Sequence, residues 1–303
     1  MDLLDSILNA KSNAFIRWLR EDFSNENFQN DIQGSKTIYV STEEIEKTVA
    51  LYRAMDLFVS GVKDVGKVAR MVGITKRQAG LLEQCLKITY VDRSNLESLV
   101  MMQPHVSQLD GSIVECGVWA GGTCILLHYL FPEKILYAVD SYEGCQDPSK
   151  GKYSAEYSNN IERHTLGMTS YKIEWVKDNF RQFGIEEKKP RSGEFINIEF
   201  IKGWVRDTLH PSKNPIGDIA LLRIDVDSYS ATKEVLHYCY DKVVNRGIVV
   251  FDDAGLYEAH DAMKSFFRER KINPKLFHPT DWDIEFDLFE SRHLPSGVFI
   301  EKE

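Results

Sequence analysis

The sequence predicts an α/β fold, a mostly parallel sheet with helices on both faces, preceded by a helical extension. Short β-branched runs bounded by turn residues recur from Gly111 onward, and helix-period segments separate most of them. The stretch before residue 102 shows helical spacing and few strand candidates. Parallel neighbours need long, usually helical crossovers, so this alternation means a sheet covered on both sides.

The chain has 303 residues, of which 43% are hydrophobic, enough for one large α/β domain with an extension or two modest ones. Its 37 basic and 46 acidic residues give a formal charge of −9, spread along the chain, which argues against nucleic acid as the main partner. No apolar run approaches the roughly 18–20 residues of a membrane helix, so no membrane partner is expected. Met1 to Leu19 mixes charges into its apolar positions, unlike a secretory leader. Cys85, Cys116, Cys124, Cys145 and Cys239 are odd in number and form no CxxC pair. They fit free thiols in a cytoplasmic protein better than a disulfide framework or a zinc site.

Taken in order, Ser41-Thr42-Glu43-Glu44 reads as a helix cap, followed at helical spacings by Ile45, Val49, Leu51, Tyr52, Met55 and Phe58. Val68 to Leu82 has the small residue, glycine turn and following helix of a DNA-binding helix-turn-helix, with a modest basic cluster of Lys67, Arg70, Lys76 and Arg77. In an acidic chain this pattern fits packing better than DNA. Residues 1–102 are therefore read as a helical region that covers an acceptor pocket or builds a homo-oligomer, with Arg17, Trp18 and Arg20 as lid or interface candidates. Residues 103–303 form the α/β domain. Its strands are expected at Ser112–Val118, Ile135–Asp140, Ile196–Lys202, Ile219–Val226 and Gly247–Phe251. Lys275–His278 and Gly297–Glu301 are expected to close the sheet as an antiparallel pair.

Ligands of open α/β sheets sit outside the carboxyl ends of the strands, so the residues ending each run are the candidates for chemistry. The first run ends in Glu115-Cys116-Gly117-Val118-Trp119-Ala120-Gly121-Gly122-Thr123, a glycine turn that serves either as a ligand cradle or as a tight turn only. It is neither GxGxxG nor a phosphate loop. The second ends in Asp140-Ser141-Tyr142-Glu143-Gly144, where Asp140 is placed either to accept from ribose hydroxyls or to cap the next helix. The fourth and fifth end in Asp225-Val226-Asp227-Ser228 and Asp252-Asp253-Ala254-Gly255. If these strands are adjacent, four carboxylates converge, and such crowding is tolerated mainly around a cation. Oxygen donors without His or Cys suit Mg²⁺, or Mn²⁺, rather than Zn²⁺. The plainer alternative is helix capping by two or three of the four.

These four stretches, with Phe200-Ile201-Lys202-Gly203 and Asp207-Thr208-Leu209 between them, closely resemble the macrocin O-methyltransferase (TylF) family from about Gly111 to Arg270. The resemblance implies a Rossmann-like class I methyltransferase fold with a seven-stranded sheet, S-adenosylmethionine as methyl donor, a Mg²⁺ requirement, and a hydroxyl acceptor on a sugar of a natural product. Carried across position by position, it places Glu115, Gly117 and Gly121 at the amino-acid end of the cofactor and Asp140 at its ribose. Ser141, Gly203 and Trp204 would lie near the ribose and adenine. Asp225, Asp252 and Asp253 match the family's metal ligands, and Asp227 its general base. The chain departs from the family at Val226, usually Gly, at Ser228, usually Leu, and around Gly144-Cys145-Gln146-Asp147-Pro148.

For Asp227 to face an acceptor while Asp225 serves as ligand, the fourth strand must turn at Val226. His237 and His260 are secondary candidates for the base and fit packing or surface roles better. Two further readings compete with a Mg²⁺-dependent sugar O-methyltransferase. One is a metal-independent methyltransferase acting on an amine or phenol, and the other is a DNA-binding regulator with a methyltransferase-like domain.

Overall fold

A computed structural model describes residues 76–144, 170–185 and 197–303. The capped segment from Ser41, the candidates Arg17, Trp18 and Arg20, residues 68–75 of the helix-turn-helix pattern, and Cys145 lie outside the described residues.

Two helices, α1 (Lys76–Cys85) and α2 (Arg93–Val106), lead into β1 (Ser112–Cys116), α3 (Gly122–Leu130) and β2 (Leu136–Asp140). After α4 (Ile173–Gln182) come β3 (Ile198–Lys202), a single turn α5 (Val205–Thr208), β4 (Ile219–Ile224) and α6 (Tyr229–Cys239). The chain closes with β5 (Val243–Phe251), α7 (Tyr257–Arg270), β6 (Lys275–Phe277), β7 (Glu285–Asp287) and β8 (Val298–Glu301).

The sheet order is β3-β2-β1-β4-β5-β8-β6-β7, so among the described residues it has eight strands, not the expected seven. The extra strand, β7, is a three-residue partner of β6 at the edge, too short to show a period in the sequence. β1 to β5 pair in parallel, while β8 runs antiparallel to both β5 and β6. The order reverses between β1 and β4, the switch point where such sheets open a ligand crevice.

Alternation along the strands divides two cores. Ile113, Leu221, Ile248, Val250 and Phe299 face one side, packed with Leu82 and Cys85 of α1, Leu96, Leu99 and Met102 of α2, Ile125 of α3 and Phe180 of α4. Val114, Cys116, Leu222, Ile224, Val249, Phe251 and Ile300 face the other, against α6 and α7 through Val235, Leu236, Met263 and Phe267. The side chains on α1 that would follow the turn of a helix-turn-helix thus enter the sheet's own core. The division at residue 102 is not a break in packing either. The α2 helix runs through it to Val106, because one apolar face from Leu96 to Val106 is needed to cover the sheet. All four described cysteines, Cys85, Cys116, Cys124 and Cys239, are free and buried.

Candidate active site

β1 and β4 end two residues earlier than their apolar runs suggest, and those early ends build the site. β1 stops at Cys116 because Gly117 turns into the left-handed region at φ 91°. A Cβ there would lie 1.5 Å from the Asp225 carbonyl oxygen, so only glycine lets the β1 and β4 ends approach. β4 stops at Ile224, and the chain turns tightly, with the Ser228 N–H donating to the Val226 carbonyl and Asp227 between them at φ 56°. Trp119, Tyr142 and Asp227, in the loops after β1, β2 and β4, are three of the five non-glycine residues with positive φ among the described residues. Such conformations cost on the order of 1–3 kcal/mol each and cluster at functional sites.

One cleft collects these loops, lined by Glu115, Gly117, Asp140, Ser141, Gly203, Trp204, Asp225, Asp227, Asp252 and Asp253, with Thr89, Tyr90, Trp119 and Thr123 at its side. Of the residues that the family resemblance assigned to cofactor, metal or base, Gly121 alone is outside the lining. It stands at the start of α3 with φ 91°, where Phe180 of α4 would be 2.8 Å from a Cβ, so its described role is to let α4 pack on α3. His237 is exposed on α6, and His260 is buried with Nε2 3.4 Å from the Leu288 carbonyl. Neither lines the cleft.

Asp140 is occupied by the protein itself. Its Oδ2 accepts the N–H groups of Val118 at 2.7 Å and Trp119 at 3.1 Å, and its Oδ1 accepts the Tyr142 N–H at 2.6 Å. The Ser141 hydroxyl lies 3.5 Å from Oδ1. A carboxylate has about four lone-pair directions, so this one is nearly filled. The structure therefore gives Asp140 first the task of joining the β1 and β2 loops, and a ribose hydroxyl would have to share it.

The carboxylates at β4 and β5 differ. Helix capping does not explain them: Ser228 caps α6 by accepting the Ala231 N–H, and Leu256 stands at the N-cap of α7. Asp225, Asp252 and Asp253 instead offer oxygen atoms that lie within 4.8 Å of one another. Burial pushes the Asp225 carboxyl well up, against the pull of Arg223, and Asp252 and Asp253 push further. Burial, then Asp227 and Asp252, do the same to Asp253. A divalent cation between these oxygens would relieve that repulsion, and an all-oxygen donor set fits Mg²⁺.

Arg223 was not anticipated from the sequence. It is 1% exposed and reaches Glu115 Oε1 at 2.5 Å and Asp225 Oδ2 at 2.8 Å through one nitrogen. Its other terminal nitrogen forms an ion pair with Asp252 Oδ1 at 2.7 Å, at an angle short of a hydrogen bond. Burial works against its charge, but Asp252, Asp225 and Glu115 outweigh that and hold the guanidinium well above its usual range. The signal was period 2: Arg223 and Asp225 share a face, and the register sets Arg223 beside Glu115. Burial also raises the Glu115 carboxyl, Arg223 opposing, and its Oε2 is buried without a hydrogen-bond partner. The Cys124 thiol also bears on this carboxyl, and a carboxylate in the cleft wall fits the ammonium of an amino-acid-bearing cofactor.

Asn95 on α2 was also missed. Its Nδ2 lies 3.3 Å from Asp252 Oδ1 and 3.2 Å from Ser296 Oγ. Beside the cleft, Tyr90 and Trp119 bring their ring centroids to 4.0 Å.

The family model for macrocin O-methyltransferase (TylF) matches residues 15–286. Over 152 residues the chain is 30% identical to demethyldecarbamoylnovobiocin O-methyltransferase of Streptomyces niveus, covering 48% of this chain and 54% of that protein. Over 161 residues it is 26% identical to 8-demethyl-8-(2,3-dimethoxy-alpha-L-rhamnosyl)-tetracenomycin-C 4'-O-methyltransferase of Streptomyces olivaceus, covering 52% and 58%. The chain thus spans little more than half the length of these curated relatives. Among solved structures it is similar to the O-methyltransferase NovP, with a TM-score of 0.58 and 25% identity over 71% of this chain and 82% of that one.

Proposed function

The chain belongs to the macrocin O-methyltransferase (TylF) family and has the class I methyltransferase fold, and from that premise we propose that it methylates a hydroxyl of a sugar or polyol in a natural product or glycan. The donor in this reading is S-adenosylmethionine, and the metal is Mg²⁺ or, in its place, Mn²⁺. The observation that carries it is the trio Asp225, Asp252 and Asp253, oxygens within 4.8 Å, in the same cleft as Asp227 and the β1 and β2 ends. A relative that by its name methylates a rhamnosyl group supports a sugar as acceptor.

A sugar hydroxyl is a very weak acid, so its proton must leave as oxygen attacks the methyl group. Bound Mg²⁺ would supply Lewis acidity and a template for two neighbouring hydroxyl oxygens. Asp227 is the base in this reading, with a contribution of about 10²–10⁴-fold. Its backbone N–H donates to Asp253 Oδ2 at 2.8 Å, so the turn that carries the base is tied to a metal ligand. Glu115 holds the cofactor's ammonium end, Gly117 leaves room beside it, and Ser141, Gly203 and Trp204 border the nucleoside end. Asp140 fixes the loops that frame it.

One observation favours the metal-independent reading: Arg223 already supplies a cation to this cluster. Its ion pairs do not include Asp253, however, and one charge does not balance five carboxylates. The test is an acceptor screen by mass spectrometry, reading the gain of one CH₂, with and without EDTA and restored Mg²⁺. Loss of the product on chelation and its return with Mg²⁺ is the expected result, and turnover that survives thorough chelation would overturn the metal role. Residues 1–102 we read as the pocket's cover or the assembly face of a homo-oligomer, to be checked by light scattering on the full chain.

A further inference from the structure

The protein's own contacts fall on one oxygen of each carboxylate in the trio. Asp225 gives Oδ2 to Arg223, Asp252 gives Oδ1 to Arg223 and Asn95, and Asp253 gives Oδ2 to the Asp227 N–H. Asp225 Oδ1, Asp252 Oδ2 and Asp253 Oδ1 carry none of these contacts. The donors that impose this are themselves fixed. Arg223 is anchored from β1 by Glu115, and Asn95 is 6% exposed and held by Ser296, where Gly297 leaves it room: a Cβ on Gly297 would come within 2.5 Å of Asn95 Oδ1.

We infer that Arg223 and Asn95 are positioning residues that confine Asp225 and Asp252 to single-oxygen ligation and thereby make the site select a small octahedral cation over Ca²⁺. The inference rests on the metal reading above. Ca²⁺ takes 6–8 oxygens and favours carboxylates that bind through both oxygens, whereas Mg²⁺ demands about six in a tight octahedron. Three single oxygens leave half an octahedron open, which suits two hydroxyl oxygens and a water. The same three serve Ca²⁺ poorly unless a carboxylate can rotate to offer its second oxygen. Arg223 opposes that rotation because its two terminal nitrogens meet Asp225 and Asp252 separately, at 2.8 and 2.7 Å, a span that a lysine's single nitrogen does not have.

The test is Mn²⁺ binding to the full chain, followed by electron paramagnetic resonance and displaced by Mg²⁺ or Ca²⁺, in wild type, Arg223→Lys and Asn95→Ala. Wild type should bind Mn²⁺ and release it to Mg²⁺ more readily than to Ca²⁺. Arg223→Lys should shift the Mg²⁺-to-Ca²⁺ ratio toward Ca²⁺ by about tenfold, and Asn95→Ala by a smaller factor in the same direction. If Arg223→Lys does not fold, Asn95→Ala alone decides the matter. Wild-type selectivity with ratios unchanged in the folded variants would overturn this inference and leave the metal reading standing. A wild-type chain that binds no Mn²⁺ would overturn both.

Discussion

The two halves of the cleft treat their carboxylates in opposite ways. On the β1–β2 side, Asp140 spends both oxygens on three backbone N–H groups and closes its own loops. On the β4–β5 side, Asp225, Asp252 and Asp253 share one guanidinium, one asparagine and one N–H, and each keeps an oxygen in reserve. All four end or follow apolar strands. In the proposed reading, the number of donors the protein aims at a carboxylate, rather than its place at a strand end, separates a structural group from a candidate ligand.

Four experiments can break or sharpen that contrast. The largest effect belongs to Asp227→Asn, which should lower turnover by about 10²–10⁴-fold while Mg²⁺ and S-adenosylmethionine still bind by calorimetry. Near-normal turnover would remove Asp227 from the base's role. Next, Arg223→Met leaves Glu115, Asp225 and Asp252 without their shared cation and should cost roughly 3–5 kcal/mol in urea unfolding of the metal-free chain. A loss under 1 kcal/mol would show that solvent, not Arg223, balances the cluster.

A third measurement supplies a control outside both halves. His105 of α2, with Nε2 2.8 Å from the Arg246 carbonyl, has its pKa lowered by burial from 6.5 to about 4. The unfolded chain therefore takes the proton first, so stability present above pH 6.5 is lost as pH falls toward 4, by roughly 3 kcal/mol. Unfolding followed across that window should show a smaller loss in His105→Gln than in wild type, the remainder coming from His128, which burial also lowers to about 4. The smallest effect is expected from Asp140→Ala, about 1–3 kcal/mol for N–H groups left unpaired, with metal affinity unchanged. A loss of metal binding in this variant would erase the distinction between the halves.

The strand ends were readable because an apolar run that stops in aspartate is a signal carried by neighbouring residues. Asp140, Asp225, Asp227, Asp252 and Asp253 were found in this way, as was the turn needed at Val226. What each carboxylate touches was not readable in the same terms. Arg223 lies inside the fourth apolar run, Ile219–Val226, and its offset of two from Asp225 places both on one face, but a lone charge in a strand does not show which carboxylates it meets. Asn95 is 157 positions from Asp252, and no local pattern joins them. Gly121 reads like a cofactor glycine, yet Phe180 fills the space a side chain would need. That α2 runs across residue 102 was unreadable for a similar reason, since helical spacing shows that α2 is a helix and not that its apolar face belongs to the sheet.

The most direct test of the account is a calorimetric titration of Mg²⁺ into the full chain with S-adenosylmethionine present, in wild type and in a variant carrying Asp225→Asn and Asp253→Asn. A single saturable Mg²⁺ site in wild type that disappears in the variant, with cofactor binding retained, is the predicted result. No Mg²⁺ binding in wild type, or equal binding in both, would contradict it.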